Sequence, residues 1–265
     1  MSAVLTIDKN KVRQSFASAA NSYDELATLQ RKVGLKLLQS FTEKSASHLV
    51  VDVGCGTGFL TQQLVDRGFA GKIIAMDIAL SMVQKTKAKT GRFQNVKYFC
   101  ADAEFIPLET KSVDTIVSNL ALQWCQNLIA VFTGFNQVLK KEGRLVFSTF
   151  GPSTLQELKQ AWSEVDDYTH VNEFYSAEEI VGFLEKSGFN NIEIVTKCYK
   201  SQYSSVIELM RELKGIGAHN VLSKRNRKTT SKSAMQAMVS AYEQSAGQNK
   251  IAATYEILFI TAQVV

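Results

Sequence analysis

Apolar and polar residues change rhythm several times along this chain, and each change marks an element. Over the first 45 residues, Phe16, Ala19, Ala20, Tyr23, Leu26, Ala27, Leu29, Val33, Leu37 and Leu38 recur at helical intervals, which predicts two amphipathic helices. The rhythm then becomes that of short apolar strands at 49–53, 72–76, 96–100, 113–117 and 144–149, with helical stretches between them. Strand alternating with helix predicts an α/β fold with a doubly wound, Rossmann-like sheet. Beyond it, 154–165 and 177–186 read as helices, 191–199 as extended, 204–216 and 233–244 as helices, and 255–264 as a last strand. There are no internal repeats, and Pro107 and Pro152 both fall in loops.

The first strand runs into glycines as LVVDVGCGTGF, residues 49–59, and the second stops at Asp77. A strand feeding a glycine turn and then a helix exposes backbone N–H groups that no Cβ screens, which suits a nucleotide-like ligand. A carboxylate about 20 residues on is where a dinucleotide site holds ribose. The nicotinamide fingerprint needs a small third residue three positions after its second glycine, and Gly56 is followed instead by Thr57, Gly58 and Phe59. The run D-x-G-x-G-x-G from Asp52 resembles the first motif of the class I S-adenosylmethionine-dependent methyltransferases. That resemblance gives Asp52, Gly54 and Gly56 to the cofactor turn, and Asp77 with neighbouring Ile78 to the adenosine ribose. Asp102 and Ala103, after the third strand, match the adenine position, and Ser118-Asn119-Leu120 follows the fourth.

Composition fits this reading. At 265 residues, 45% apolar and 21% charged, the chain is long enough for one large domain. The expected division is a helical lid over 1–45, a cofactor-binding core over 46–200, a helical insertion over 201–248 and a final strand over 249–265. No apolar run approaches the roughly 20 residues that span a bilayer, and residues 1–10 lack a secretory apolar region, so the cytoplasm is the expected location. Cys55, Cys100, Cys125 and Cys198 have no C-x-x-C spacing and read as reduced core residues, while His48, His170 and His219 have no metal-ligand spacing. No metal is expected.

The methyl acceptor is harder to read. Methylases of amide or adenine nitrogens carry (N/D)-P-P-(Y/F) after strand four, where this chain has Asn119-Leu120-Ala121-Leu122. No general base is recognisable, which favours an acceptor already ionised at neutral pH, such as a carboxylate. A free small acid, a ubiquinone-like metabolite and a nucleic acid remain open from these residues alone.

More selective stretches lie outside the cofactor motifs: Phe16-x-x-Ala19-Ala20-x-x-Tyr23, then Asn119-Leu-Ala-Leu-Gln-Trp124, Leu213-Lys-Gly-Ile-Gly-Ala218 and Tyr255-Glu-Ile-Leu-Phe259. Over nearly the whole chain these resemble the malonyl-acyl-carrier-protein O-methyltransferases of biotin synthesis. The resemblance implies methyl transfer from S-adenosylmethionine to the free carboxylate of a malonyl thioester on acyl carrier protein. It also implies a seven-stranded sheet whose last strand is inserted antiparallel, with the insertion lying over the cofactor. Tyr23, Trp124 (at the start of the helix after strand four) and Lys214 are expected to position the acceptor, and Gln30 to hold the cofactor's methionine part.

Charge bears on the partner. The chain carries a formal net charge of +5, and between 197 and 232 nine lysines and arginines face only Glu208 and Glu212. Lys224, Arg225, Arg227 and Lys228 are the expected contact for an acidic carrier protein. The same run suits phosphates, but it has no interleaved aromatics for stacking bases, so nucleic acid is the weaker reading.

Overall fold

The computed structural model describes residues 7–41, 45–218, 230–247 and 250–265. Its centre is one seven-stranded sheet of β1 (Leu49–Val53), β2 (Lys72–Asp77), β3 (Val96–Cys100), β4 (Val113–Asn119), β5 (Leu139–Phe150), β6 (Phe189–Tyr203) and β7 (Ile251–Val264). The strand order is β3-β2-β1-β4-β5-β7-β6. Strands β1 to β5 pair in parallel, and β7 enters antiparallel between β5 and β6. The doubly wound fold and the inserted last strand are therefore as expected.

The sheet is buried on both faces because neighbouring residues of a strand point to opposite sides. Val51, Ile116, Leu145 and Phe147 join one core with Phe132 and Phe135 of α6 (Leu128–Val138) and Ile180 and Leu184 of α8 (Ala177–Lys186). Val50, Val117 and Val146 join another with Leu37 of α3 (Thr28–Leu37) and Leu60 and Leu64 of α4 (Phe59–Asp66). A third core, with Trp162 of α7 (Gln156–Ser163), Leu209 of α9 (Val206–Gly215) and Tyr242 of α10 (Lys232–Ala246), covers the β7 end. Of the remaining helices, α5 (Leu80–Thr90) follows β2, while α1 (Lys9–Ala19) and α2 (Tyr23–Leu26) precede the sheet.

Several expectations need correction. The N-terminal region forms three helices, because Ser22 breaks the run: its N–H and hydroxyl both bond the Ala19 carbonyl, and the hydroxyl also reaches the Gly215 carbonyl at 2.9 Å. β5 begins five residues early, at Leu139 opposite Val113, and regains register past an irregularity at Glu142, whose φ is 61°. β6 and β7 are longer than the apolar pattern indicated, since backbone pairing continues from Phe189↔Val264 to Tyr203↔Ile251. Trp124 lies in a 3₁₀ turn (Leu122–Trp124), and α6 starts only at Leu128, where the Asn127 side chain accepts from the Ala130 N–H. Cys55 is buried and Cys125 half-buried, but Cys100 and Cys198 are exposed at strand positions that face solvent; all four are free thiols.

No helix among the described residues is long and apolar enough to cross a membrane. The basic run Lys224, Arg225, Arg227 and Lys228 lies outside the described residues, as does His219.

Candidate active site

A cleft opens where the sheet order reverses, at the carboxyl ends of β1 and β4, the place an open α/β sheet offers to a ligand. After Val53 the chain turns through Gly54, Gly56 and Gly58, with φ of 71°, 54° and 88°. A Cβ on Gly54 would stand 2.2 Å from the Cβ of Ala121, so this glycine permits a close crossing of two chain segments. A Cβ on Gly56 would meet nothing within 4 Å; its bare face borders the cleft. The N–H groups of Gly54 and Cys55 donate to the Met76 carbonyl at 2.8 and 2.9 Å, which straps the turn to β2.

Three carboxylates surround this turn. Asp77, at the tip of β2, accepts from the Gly56 N–H at 3.0 Å and the Ala79 N–H at 2.8 Å; burial pushes its carboxyl up to about 6 against those bonds. Asp52 accepts from the Thr61 N–H and hydroxyl through Oδ2, at 3.1 and 2.6 Å. Its Oδ1 is buried without a partner, and burial raises the carboxyl to about 7. Asp102, after β3, accepts from the Glu104 N–H at 3.0 Å and pairs with Lys9 Nζ at 2.7 Å. Asn119 closes the fourth side: its Nδ2 donates to the Gln30 carbonyl at 3.0 Å and its Oδ1 accepts from Ser148 at 2.9 Å.

The N-terminal helices cover the cleft and are pinned at both ends. Lys9 also pairs with Glu104 at 2.8 Å. At the other end Asp24 accepts from the Thr57 hydroxyl at 2.5 Å and pairs with Lys89 at 2.6 Å. Gly54, Gly56, Asp77, Ile78, Asp102, Ala103 and Asn119 all line the cleft, and Gln30 and Asp52 line a smaller hollow adjoining it around the glycine turn.

Beside the cleft lies a second, larger cavity of about 440 Å³, within the usual size of a small-molecule site. Phe16, Tyr23, Leu120 and Trp124 border both spaces and are the wall they share. Phe16 and Trp124 meet edge to face with centroids 5.4 Å apart. Leu120 holds φ of 49°, a strained value for a branched side chain, fixed by its N–H bonding Ser148. Burial raises the Tyr23 phenol well above its ordinary value, with the Asp77 and Asp24 carboxylates acting in the same direction. The far wall is apolar, with Trp162 stacked on His170 at 3.7 Å, and α9 adds Arg211, Glu212 and Lys214.

Residues 51–147 match the model of a methyltransferase domain. Over 262 residues, the chain is 37% identical to a malonyl-[acyl-carrier protein] O-methyltransferase from Gallionella capsiferriformans, covering 96% of this chain and 90% of that protein. This chain belongs to that O-methyltransferase family. Such an O-methyltransferase sequence also forms part of longer proteins: the biotin biosynthesis bifunctional protein BioHC of Cellvibrio japonicus is 37% identical over 96% of this chain and 50% of its own length. A solved Haemonchus contortus phosphoethanolamine N-methyltransferase 2, in complex with S-adenosyl-L-methionine, shares the fold. Its TM-score is 0.58 at 16% identity, over 94% of this chain and 57% of that one.

Within this O-methyltransferase, Tyr23, Gln30, Trp124 and Lys214, far apart in sequence, meet on the wall of the larger cavity. Lys214 is solvent-exposed there. The described part of the insertion lies elsewhere than expected: its α9 roofs the larger cavity, and no described residue between β6 and β7 lines the cofactor cleft. α1 and α2 cover the cleft instead. Sequence reasoning missed Lys9 and Asp24 as site residues and named Leu120 only within the Ser118-Asn119-Leu120 landmark. Phe16 carried a signal, since it sits seven residues before Tyr23 on one helical face. The glycines of Leu213-Lys-Gly-Ile-Gly-Ala218 also have a physical role: a Cβ on Gly215 would strike Leu26 Cδ1 at 2.1 Å, and one on Gly217 would lie 3.0 Å from the Ser15 carbonyl.

Proposed function

We propose that this O-methyltransferase moves a methyl group from S-adenosylmethionine to the free carboxylate of a malonyl group held as a thioester on acyl carrier protein. The observation that carries the reading is the pair of adjoining chambers that share Phe16, Tyr23, Leu120 and Trp124 as a wall. One is ringed by carboxylates, and the other is apolar with cations on one wall. The relatives named malonyl-[acyl-carrier protein] O-methyltransferase supply the acceptor.

The cleft suits the cofactor on its own features. S-Adenosylmethionine carries a sulfonium and an amine, so it supplies an electrophilic methyl and brings positive charge to a cleft lined by Asp77 and Asp102, with Asp52 in the hollow beside it. The bare face of Gly56 leaves room against the backbone, and the unpaired Asp52 Oδ1 leaves an acceptor unused. Asp77 takes the ribose hydroxyls, Asp102 and Ala103 the adenine, and Gln30 with the glycine turn the methionine part.

On the acceptor side, a carboxylic acid with an ordinary pKa near 4 is fully ionised at neutral pH, so no residue has to remove a proton. Work is left for orientation and exclusion of water. Tyr23 and Trp124 shape the shared wall, and Lys214 holds the carboxylate. The carrier protein meets the basic run Lys224, Arg225, Arg227 and Lys228, and the reaction takes place in the cytoplasm. Esterification replaces the malonyl charge with an apolar cap, so the acyl end can enter hydrophobic pockets that would otherwise desolvate an anion.

Incubation with S-adenosylmethionine labelled in its methyl group, and with malonyl-acyl carrier protein, malonyl-coenzyme A or RNA, tests the reading. Label should appear as a base-labile ester on the malonyl thioesters. Transfer to RNA with none to the thioesters would overturn it.

A further inference from the structure

The charges bordering the larger cavity are unevenly placed. Among the described residues lining it there are two fixed cations, Arg211 and Lys214, and one carboxylate, Glu212, all on α9. His170 is turned to Asp166 at 2.8 Å, so any charge it takes up is balanced outside the cavity. Glu212 has no described cation within ion-pair distance; its Oε1 accepts from the Tyr203 hydroxyl at 2.9 Å, and that hydroxyl lies 3.2 Å from the Tyr255 hydroxyl. A half-buried carboxylate answered only by a phenol, in a wall of Ile207, Met210 and Met235, keeps most of its field.

Structural support for Tyr203 alone would be met as well by a neutral acceptor, which would cost less to bury. The charge has a different consequence. With it the described lining carries a net of one positive charge, the complement of an acceptor with a single carboxylate; without it the net is two.

We propose that Glu212 is a charge filter that matches the acceptor cavity to a singly charged acyl thioester and turns away free dicarboxylates. The inference rests on the carboxyl-methylation reading above. A malonyl thioester presents one anion, and its other end is neutral. Free malonate presents two, and the second would stand in the field of Glu212.

The test compares wild type with Glu212→Gln, which keeps a hydrogen-bond acceptor for Tyr203. Malonyl-N-acetylcysteamine and malonate serve as acceptors at pH 8, with saturating S-adenosylmethionine and quantified methyl esters. The high pH is chosen because burial raises the Glu212 carboxyl, and the filter acts through its charged form. The readout is the ratio of kcat/KM for the thioester to that for malonate. Because both values come from one preparation, partial loss of folded protein cancels. The ratio should fall about tenfold or more in Glu212→Gln, the size expected of a unit charge at several ångströms in a partly buried site. It should rise in Arg211→Gln, an exposed position, which removes a cation from the same wall. A ratio within threefold of wild type in Glu212→Gln overturns the filter while leaving the methylation reading intact. Wild-type enzyme that esterifies neither of these nor malonyl-acyl carrier protein overturns that reading, and the filter with it.

Discussion

The cofactor cleft and the acceptor cavity share four wall residues, yet they are assembled in opposite ways. The cleft is made of strand ends: a glycine turn, Asp77, Asp102 and Asn119, each placed by a parallel strand of the same sheet. The cavity is made of side chains from α1, α2, α3, α7, α9, α10 and the loops after β4 and β5, and most of them are apolar or aromatic. The first uses backbone amides and carboxylates fixed by hydrogen bonds; the second uses shape, with charge confined to α9. A site bound to strand ends leaves little room for change, whereas a site assembled from helices on separate segments can be altered one wall at a time.

The largest expected effect is on the cleft. Gly54→Ala puts a Cβ 2.2 Å from Ala121 Cβ at a φ of 71°. Left-handed strain and overpacking together should cost about 2 to 4 kcal/mol of stability, read from urea unfolding. A change below 0.5 kcal/mol would mean the turn has slack that its geometry does not suggest. Gly56→Ala, with open space at its Cβ, should cost less in stability and show its main loss in cofactor affinity.

Next in size is Asp77→Ala. Loss of a charged hydrogen-bond acceptor should weaken S-adenosylmethionine binding by about 1.5 to 3 kcal/mol in calorimetry, with the KM for the malonyl thioester nearly unmoved. Equal losses on both sides would erase the distinction between the two chambers.

A third test uses pH. Burial raises Asp77 to about 6 and Asp52 to about 7, so the ligand-free native state holds protons that the unfolded chain, with carboxyls near 4, has released. Their contribution to stability is therefore greatest below pH 4 and declines as pH rises from about 4 to 7. A cationic cofactor favours the ionised forms, so its affinity should improve over the same window, by up to about tenfold per pH unit below pH 6. Asp77→Asn should flatten that slope. The methyl-transfer step under saturation should stay level from about pH 6 to 8, since the acceptor is already ionised. A bell-shaped profile there would point to a missing general base.

The smallest effects belong to the basic side. Lys214→Gln should raise the KM for the thioester by about fivefold at most, because the ammonium is exposed. Replacing Lys224, Arg225, Arg227 and Lys228 with Ser should raise the KM for malonyl-acyl carrier protein more than that for malonyl-coenzyme A. Added salt should imitate this change, with screening over about 10 Å at 0.1 M. An equal rise for both acceptors would assign the run to the coenzyme's phosphates.

The same contrast explains what could be read from the sequence. A glycine turn, a carboxylate at the next strand tip and Asp102 after the third strand are each defined within a few residues. Their relative places follow once the strands are known to be parallel, which is why the cleft was legible. Tyr23, Gln30, Trp124 and Lys214 could be named only through family likeness, because no local pattern tells which helices will face one another. Lys9 gave no signal at all: a lysine in a polar first turn looks like a solvated residue until α1 is laid across Asp102. Strand ends in β5, β6 and β7 were misjudged for a related reason. Their outer residues are held by backbone pairing rather than by apolar side chains, as at Lys200 in the edge strand β6.

The contact between α9 and the N-terminal helices has a kinetic corollary. Gly215 and Gly217 let the end of α9 press against Leu26 and Ser15, and Ser22 bonds the Gly215 carbonyl. The roof of one chamber is thus fastened to the cover of the other. On the proposed function, a displacement of α9 large enough to admit an acyl group would pull on the same helices that cover the cofactor cleft. Loading and emptying of the two chambers become mechanically interdependent, and the order in which reactants arrive and products depart is constrained by that joint.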